Sequence, residues 1–228
     1  MQPGTLEPDL TMADMDPDKL ARNLRVKAVG ERLAAMALLL LLSPLEIAIA
    51  AAIALEALAS DEPPRVLIDE RRQSAGRVFS LLKFRVFRVE AWLEHLAREP
   101  GVSIKALERR PELLTRTGRV LKRCYLDELP QLVNIARGEM ALVGPRPYFE
   151  GDWAREPRLD VPARRLLRAG LVGPYQAVKG RISGLDEVNR LDGEYLAHLR
   201  KASVPALLAR DLAIVARSLG TLLRAQGL

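Results

Sequence analysis

Residues 33–60 read LAAMALLLLLSPLEIAIAAAIALEALAS. From Leu33 to Leu45 the run holds no charge; Glu46 interrupts it, and it resumes from Ile47 to Leu55. About 20 uncharged apolar residues would read as a spanning helix, but Ser43-Pro44 divides this run near its middle. Proline removes a helix hydrogen bond and clashes with the preceding turn, and a serine can satisfy the freed carbonyl. At about 1.5 Å per residue, Leu33–Leu42 covers only about 15 Å, roughly half a hydrocarbon core. Two short arms hinged at Ser43-Pro44 predict a re-entrant helix hairpin, dipping into one leaflet and returning to the same face. The basic residues before it (Arg22, Arg25, Lys27, Arg32) and after it (Arg65, Arg71, Arg72, Arg77) belong on the cytoplasmic side. The same residues also admit a simple spanning helix with Glu46 snorkelling, or a buried soluble helical hairpin.

Outward from this segment the chain divides in three: an acidic tail over 1–21, the membrane helix over 22–60, and a charged domain over 61–228. The tail carries Glu7, Asp9, Asp14, Asp16 and Asp18 against Lys19 and reads as disordered. It lacks the positive start of a secretory signal. Beyond Pro63-Pro64, RVLIDERR and RVFSLLKFRVF predict a small β-hairpin turning at Gly76. EAWLEHLAREP reads as an amphipathic helix ended before Pro100, and further short helices are expected over Lys105–Arg110 and Pro111–Arg116. YLDELPQLVNIARG is the best-delimited helix, with Pro130 in its first turn and Gly138 past its end. Near the C-terminus, Val204, Leu208, Leu212, Val215, Leu219 and Leu222 form one stripe, opposite Arg210, Arg217 and Arg224. That helix suits a membrane interface or the domain's own core. The fold class is α+β, mostly helical.

Composition narrows the chemistry. The 228 residues carry a formal charge of +6. One cysteine, Cys124, excludes an internal disulfide framework, and two histidines with one cysteine exclude most His/Cys zinc sites. Cys124 reads as structural, and His95 and His198 as surface or packing residues. No aromatic-basic platform for nucleic acid is present. Glycine-rich dinucleotide and P-loop motifs, H-E-x-x-H and G-x-S-x-G are also missing.

The informative block is GRVLKRCYLDELPQLVNIARGEMALVGPRP, residues 118–147. Arg119, Lys122, Arg123 and Arg146 bracket the adjacent carboxylates Asp127 and Glu128. Placed at a helix opening, both carboxylates should be ionised at neutral pH. Neighbours about 100° apart can divide labour, one attacking or holding a proton and the other binding a metal. Hard oxygens among arginines suggest Mg²⁺ and phosphate. An acidic turn that merely complements its own dipole is the bland alternative. Gly144-Pro145-Arg146-Pro147 is a rigid turn projecting an arginine, and RAGLVGPYQAVKGR supplies a second glycine-rich segment ending in Arg181.

Together these blocks resemble the bacterial sugar transferases, the monotopic polyprenyl-phosphate phosphoglycosyl transferases. The elements come in family order from about Arg22 to the C-terminus: the Ser43-Pro44 helix, Lys83-Phe84-Arg85, Leu126-Asp127-Glu128-Leu129-Pro130-Gln131, Gly144-Pro145-Arg146-Pro147, Gly170–Arg181, Leu191-Asp192 and Glu194-Tyr195. The resemblance implies transfer of a phospho-sugar from a UDP-sugar to polyprenyl (undecaprenyl) phosphate, with release of UMP. It implies Asp127 as a nucleophile forming a covalent phospho-sugar intermediate, with Glu128 and Mg²⁺ completing the site and both carboxylates near the metal. Lys83, Arg85, Arg119, Lys122, Arg123, Arg146 and Arg181 are then the phosphate-binding candidates. The implied setting is the cytoplasmic face of a bacterial inner membrane, at the start of lipid-linked glycan or exopolysaccharide synthesis. The family usually has Ser-Met where Val86-Phe87 stand, Arg at Lys122, and Asp-Pro-Arg where Arg110-Pro111-Glu112 stand; these departures bear on sugar choice or rate. A non-enzymatic scaffold of the same fold is the alternative from another class. Oligomeric state is left open, a homodimer included.

Overall fold

The computed structural model describes residues 17–98, 110–178 and 184–224. Helix α1 runs without interruption over Pro17–Ala59, 43 residues. Pro17 opens it, where a missing N–H costs nothing; residues 17–21 are therefore helix rather than tail. Pro44 lies inside the helix, and the expected division into two arms is not a break in the helical backbone. The carbonyl that Pro44 leaves without its donor is that of Leu40, and Ser43 Oγ donates to it at 2.8 Å. Serine thus repairs the defect that proline makes.

Both ends of α1 are buried by one domain. Asn23 Nδ2 donates to the carbonyls of Leu199 and Ala202, at 2.9 and 3.0 Å. Lys27 Nζ lies 2.6 Å from both Glu31 and Asp211. Thirty residues after Asn23, Ile53 packs with Ile49 into a cluster containing Phe84, Val86, Phe87 and Trp92. Between these anchors Leu40, Leu41 and Ile47 are 79, 71 and 69 % exposed.

The domain begins with the expected hairpin, β1 (Leu67–Ser74) and β2 (Arg77–Phe84), antiparallel with Leu67 opposite Phe84 and Ser74 opposite Arg77. Ala75 and Gly76 both take positive φ, 49° and 71°, as a two-residue turn between twisted strands requires. Alternation along β1 turns Ile68, Glu70, Arg72 and Ser74 inward. Helix α2 spans Val89–Arg98 as its pattern predicts. The expected helix over Lys105–Arg110 lies mostly outside the described residues. Pro111–Leu113 is only a 3-10 turn, because Thr115 is extended and accepts a hydrogen bond from Gly118 N–H, starting a separate helix, α3 (Arg116–Cys124). Glu56 of α1 accepts from the N–H groups of Arg116 and Thr117, tying that helix start to α1.

A 3-10 turn, Leu126–Glu128, precedes α4 (Gln131–Arg137), which Gly138 ends at φ 76°. Asn134, fully buried, joins α4 to β2: its Oδ1 accepts from Leu82 N–H and its Nδ2 donates to Ser80 C=O. Strand β3 (Ala141–Val143), helices α5 (Glu150–Arg155) and α6 (Pro162–Leu166), and strand β4 (Gly170–Val172) follow. The β3–β4 pair is parallel, an element the sequence reading lacks. Helices α7 (Leu185–Lys201) and α8 (Val204–Arg224) close the fold. Leu207, Asp211, Ile214 and Ser218 of α8 face inward, while Leu208, Leu212 and Leu219 of the apolar stripe are exposed.

Candidate active site

Tyr125 caps α3 in the left-handed conformation, φ 56°, and turns the chain into Leu126–Glu128. A β-carbon-bearing residue in this region carries strain, which collects at functional sites. The next two carboxylates fall into different surroundings. Asp127 is 2 % exposed, with Lys122 Nζ 3.3 Å from its Oδ2. Burial pushes its carboxyl up to about 6; Lys122 and Lys83 pull it down, and Glu128 adds to the rise. The expectation of a helix-dipole-stabilised charge is corrected here: a three-residue turn offers little dipole, and desolvation dominates. Asp127 nonetheless remains mostly ionised at pH 7. Glu128 is half-buried, its carboxylate makes no hydrogen bond or ion pair among the described residues, and it lines a cavity of about 300 Å³.

That cavity has two kinds of wall. Leu38 and Leu42 of α1, Leu81, Leu129, Leu132 and Leu219 make it apolar; Arg72, Lys83, Glu128, Gln131, Arg146 and Gln176 make it polar. Arg146 is set there by a backbone crossing. Gly144 N–H donates to Val172 C=O at 3.0 Å, and Gly170 N–H to Pro145 C=O at 2.8 Å. A Cβ on Gly144, Gly170 or Gly173 would lie 2.1–2.2 Å from a backbone atom of the opposing segment, so only glycine allows the approach. Arg72 holds the same loop from the hairpin side: its Nη1 donates to Pro147 C=O at 3.1 Å and its guanidinium covers the Phe149 ring. Glu70 sits beneath, paired with Arg72 and 3.4 Å from Lys83 Nζ; those cations hold its carboxyl below the usual range against its burial.

Residues 22–225 match the model of the bacterial sugar transferase family. The chain belongs to this family. It is 34 % identical over 207 residues to a UDP-glucose:undecaprenyl-phosphate glucose-1-phosphate transferase of Caulobacter vibrioides, covering 90 % of this chain and 72 % of that one. It is 36 % identical over 165 residues to the exopolysaccharide production protein ExoY of Rhizobium meliloti, covering 69 % and 68 %. Against a UDP-galactose-lipid carrier transferase of Erwinia amylovora it is 33 % identical over 167 residues, 69 % of this chain but 33 % of that protein.

In this sugar transferase the expected site residues separate. Lys83, Lys122 and Arg146 gather around Asp127 and Glu128. Arg85 does not: at 1 % exposure its guanidinium is spent on Glu62 and on the carbonyls of Arg65 and Phe87, pinning the connection from α1 to the hairpin. Its assignment as a phosphate ligand is corrected accordingly. Arg119 and Arg123 are exposed on α3 and do not line the cavity, and Arg181 lies outside the described residues. Arg72, Gln131 and Gln176 were missed. For Arg72 the signal was the period-two burial of β1, which places two charged side chains, Glu70 and Arg72, on an inward face.

Among the described residues no three carboxylate, histidine or cysteine side chains converge as a metal cage. Mg²⁺ does not need one: it keeps waters and shares one or two carboxylates with substrate phosphates. The unpaired Glu128 carboxylate on the cavity wall, beside Asp127, fits that donor set.

Proposed function

We propose that this enzyme moves a sugar-1-phosphate from a UDP-sugar to undecaprenyl, or another polyprenyl, phosphate and releases UMP. The observation that supports the reading best is the shared cavity. Leu38 and Leu42 of the apolar helix line the same space as Glu128, Lys83 and Arg146. A soluble polyanion and a lipid phosphate can meet only where such walls join.

In the proposed sequence a carboxylate oxygen of Asp127 attacks the donor phosphorus that bears the sugar. The bond from that phosphorus to the UMP oxygen breaks, leaving an aspartyl phospho-sugar. A phosphate oxygen of the lipid then attacks the same phosphorus, the bond to Asp127 breaks, and the carboxylate is regenerated on a polyprenyl diphospho-sugar. Lys122 favours the anionic carboxylate, while Lys83 and Arg146 supply positive charge for the diphosphate and Arg72, paired with Glu70, holds the Pro147 loop in place. Asp127 and Glu128 would hold Mg²⁺, whose chemistry there is neutralisation of the diphosphate and of the leaving UMP.

Membrane placement is part of the proposal. The apolar segment of α1 is long enough to cross a bilayer. A straight crossing, however, would carry the Asn23–Lys27 end and the Ile49–Ile53 end to opposite sides, and one domain buries both. Ala35, fully buried against α4, brings the near anchor closer still: from Ala35 to Ile49 the helix rises only about 21 Å, short of the about 30 Å core. This supports insertion into one leaflet, with the domain at the cytoplasmic face where the basic flanks belong. The exposed Leu208, Leu212 and Leu219 of α8 supply a second interfacial contact.

The test is UMP release from a panel of UDP-sugars, with and without polyprenyl phosphate. A stoichiometric burst without lipid and ping-pong kinetics with it are expected. Intersecting kinetics without a burst would demote Asp127 to base or metal ligand; no UMP from any donor would favour the scaffold reading.

A further inference from the structure

Among the described residues, two neutral polar groups in the cavity wall have nothing to bond. Ser218 of α8 is 1 % exposed, lines the cavity, and its Oγ has no hydrogen-bond partner. Gln176 lines the same cavity, in the 3-10 turn Gln176–Val178 that packs against α8, and its buried Oε1 is likewise unpartnered. Buried polar atoms in folded proteins are nearly always satisfied, so two orphans in one cavity wall point to a missing partner. The rest of the polar wall is of a different kind. Lys83 and Arg146 carry positive charge and suit phosphate oxygens. A hydroxyl and a carboxamide, each able to donate and accept, suit the hydroxyls of a sugar, which also do both.

We propose that Gln176 and Ser218 read the sugar of the donor substrate. This deepens the transferase reading and rests on it. Discrimination then arises because a sugar whose hydroxyl points elsewhere leaves these buried atoms unpaired, which penalises the wrong epimer far more than a gap in an apolar wall does. It has a second consequence. A hydroxyl that waits unbonded in the free protein lowers that protein's stability, so removing it should not harm the fold.

The experiment uses the full chain in lipid nanodiscs, with Ser218→Ala and Gln176→Met, the latter keeping shape without the amide. Affinities for UDP, UDP-glucose, UDP-galactose and UDP-N-acetylgalactosamine are measured by calorimetry, alongside kcat/KM and Tm. In each variant, affinity for the preferred UDP-sugar should fall about tenfold, the equivalent of one hydrogen bond. UDP affinity should not change, the preference among the three sugars should shrink, and Tm should stay level or rise. A parallel loss for UDP and for all three UDP-sugars, a fall in Tm accompanied by uniform loss, or no change in sugar preference would overturn the assignment. Should the wild type bind UDP-sugars with a preference the variants lose, yet turn over none of them, the transferase reading fails while this one stands.

Discussion

Replacing Asp127 by Asn should stabilise the protein while abolishing its reaction. The carboxyl is pushed from the usual 3.8 to about 6, chiefly by burial, so the folded state holds a proton that the unfolded chain has released. Where the folded state binds more protons, stability falls as pH rises. The deficit therefore grows from about pH 4 to about pH 6 and is complete at pH 7. The gap between those two values corresponds to about 3 kcal/mol. Asparagine keeps the shape and removes the charge. Lys122, 25 % exposed, loses this one contact and can hydrate, and its attraction for the carboxylate is already contained in that gap. A gain of about 3 kcal/mol at pH 7 is expected, a rise in Tm of about 6–12 °C for a chain of this size. The assay is thermal unfolding of both proteins in nanodiscs with EDTA, from pH 4 to pH 8. The gap should close toward pH 4, while UMP release falls by orders of magnitude at every pH. An asparagine variant less stable than wild type at pH 7, or a gap as wide at pH 4 as at pH 7, would refute the reasoning.

Gly144→Ala puts a methyl 2.2 Å from the Arg168 carbonyl and must open the β3–β4 crossing by more than about 1 Å; a loss of about 2–4 kcal/mol and at least tenfold in kcat/KM is expected, read by denaturant unfolding and UMP release. Lys27→Met leaves Glu31 and Asp211 buried without their cation, which should cost about 3–5 kcal/mol in the same unfolding measurement. Leu212→Asp, at a position 70 % exposed on the outer face of α8, should leave Tm unchanged and weaken flotation with anionic vesicles severalfold.

Much of this architecture was legible because local rules and tertiary packing agree. The hairpin announces itself by alternation around Gly76, and α4 by its Gly138 cap and the preceding Pro130. Ser43-Pro44 was read correctly as a lesion with its own repair, though the repair keeps the helix whole instead of dividing it. The parallel β3–β4 pair had no local signal: each strand is three residues long, and they lie in separate parts of the chain. Its only trace was the glycines, read as a turn when they mark a backbone crossing. Arg85 and Lys83, two residues apart, looked equivalent in Lys83-Phe84-Arg85. Strand β2 ends at Phe84, so Arg85 turns away into the α1 connection while Lys83 stays on the cavity wall. Charge counting cannot distinguish a cation that meets substrate from one that meets Glu62. On α8 the apolar stripe faces outward at Leu208, Leu212 and Leu219, and the inward face is a different one, Leu207, Asp211, Ile214 and Ser218.

The polar anchor at the start of α1 bears on how the chain assembles. Lys27 is made 184 residues ahead of its partner Asp211, and the carbonyls that hold Asn23 belong to Leu199 and Ala202. The apolar stretch after Lys27 can enter the bilayer long before those partners exist. At the ribosome's pace of about 5–20 residues per second, that interval is on the order of ten seconds or more. On the proposed membrane placement the domain completes its folding beside a helix already inserted, and α8 is the last piece to lock the anchor. Contacts of such sequence separation make folding slow. A chain released before Asp211 would keep only Glu31 beside Lys27 and would lack the α8 wall of its cavity, Ser218 and Leu219.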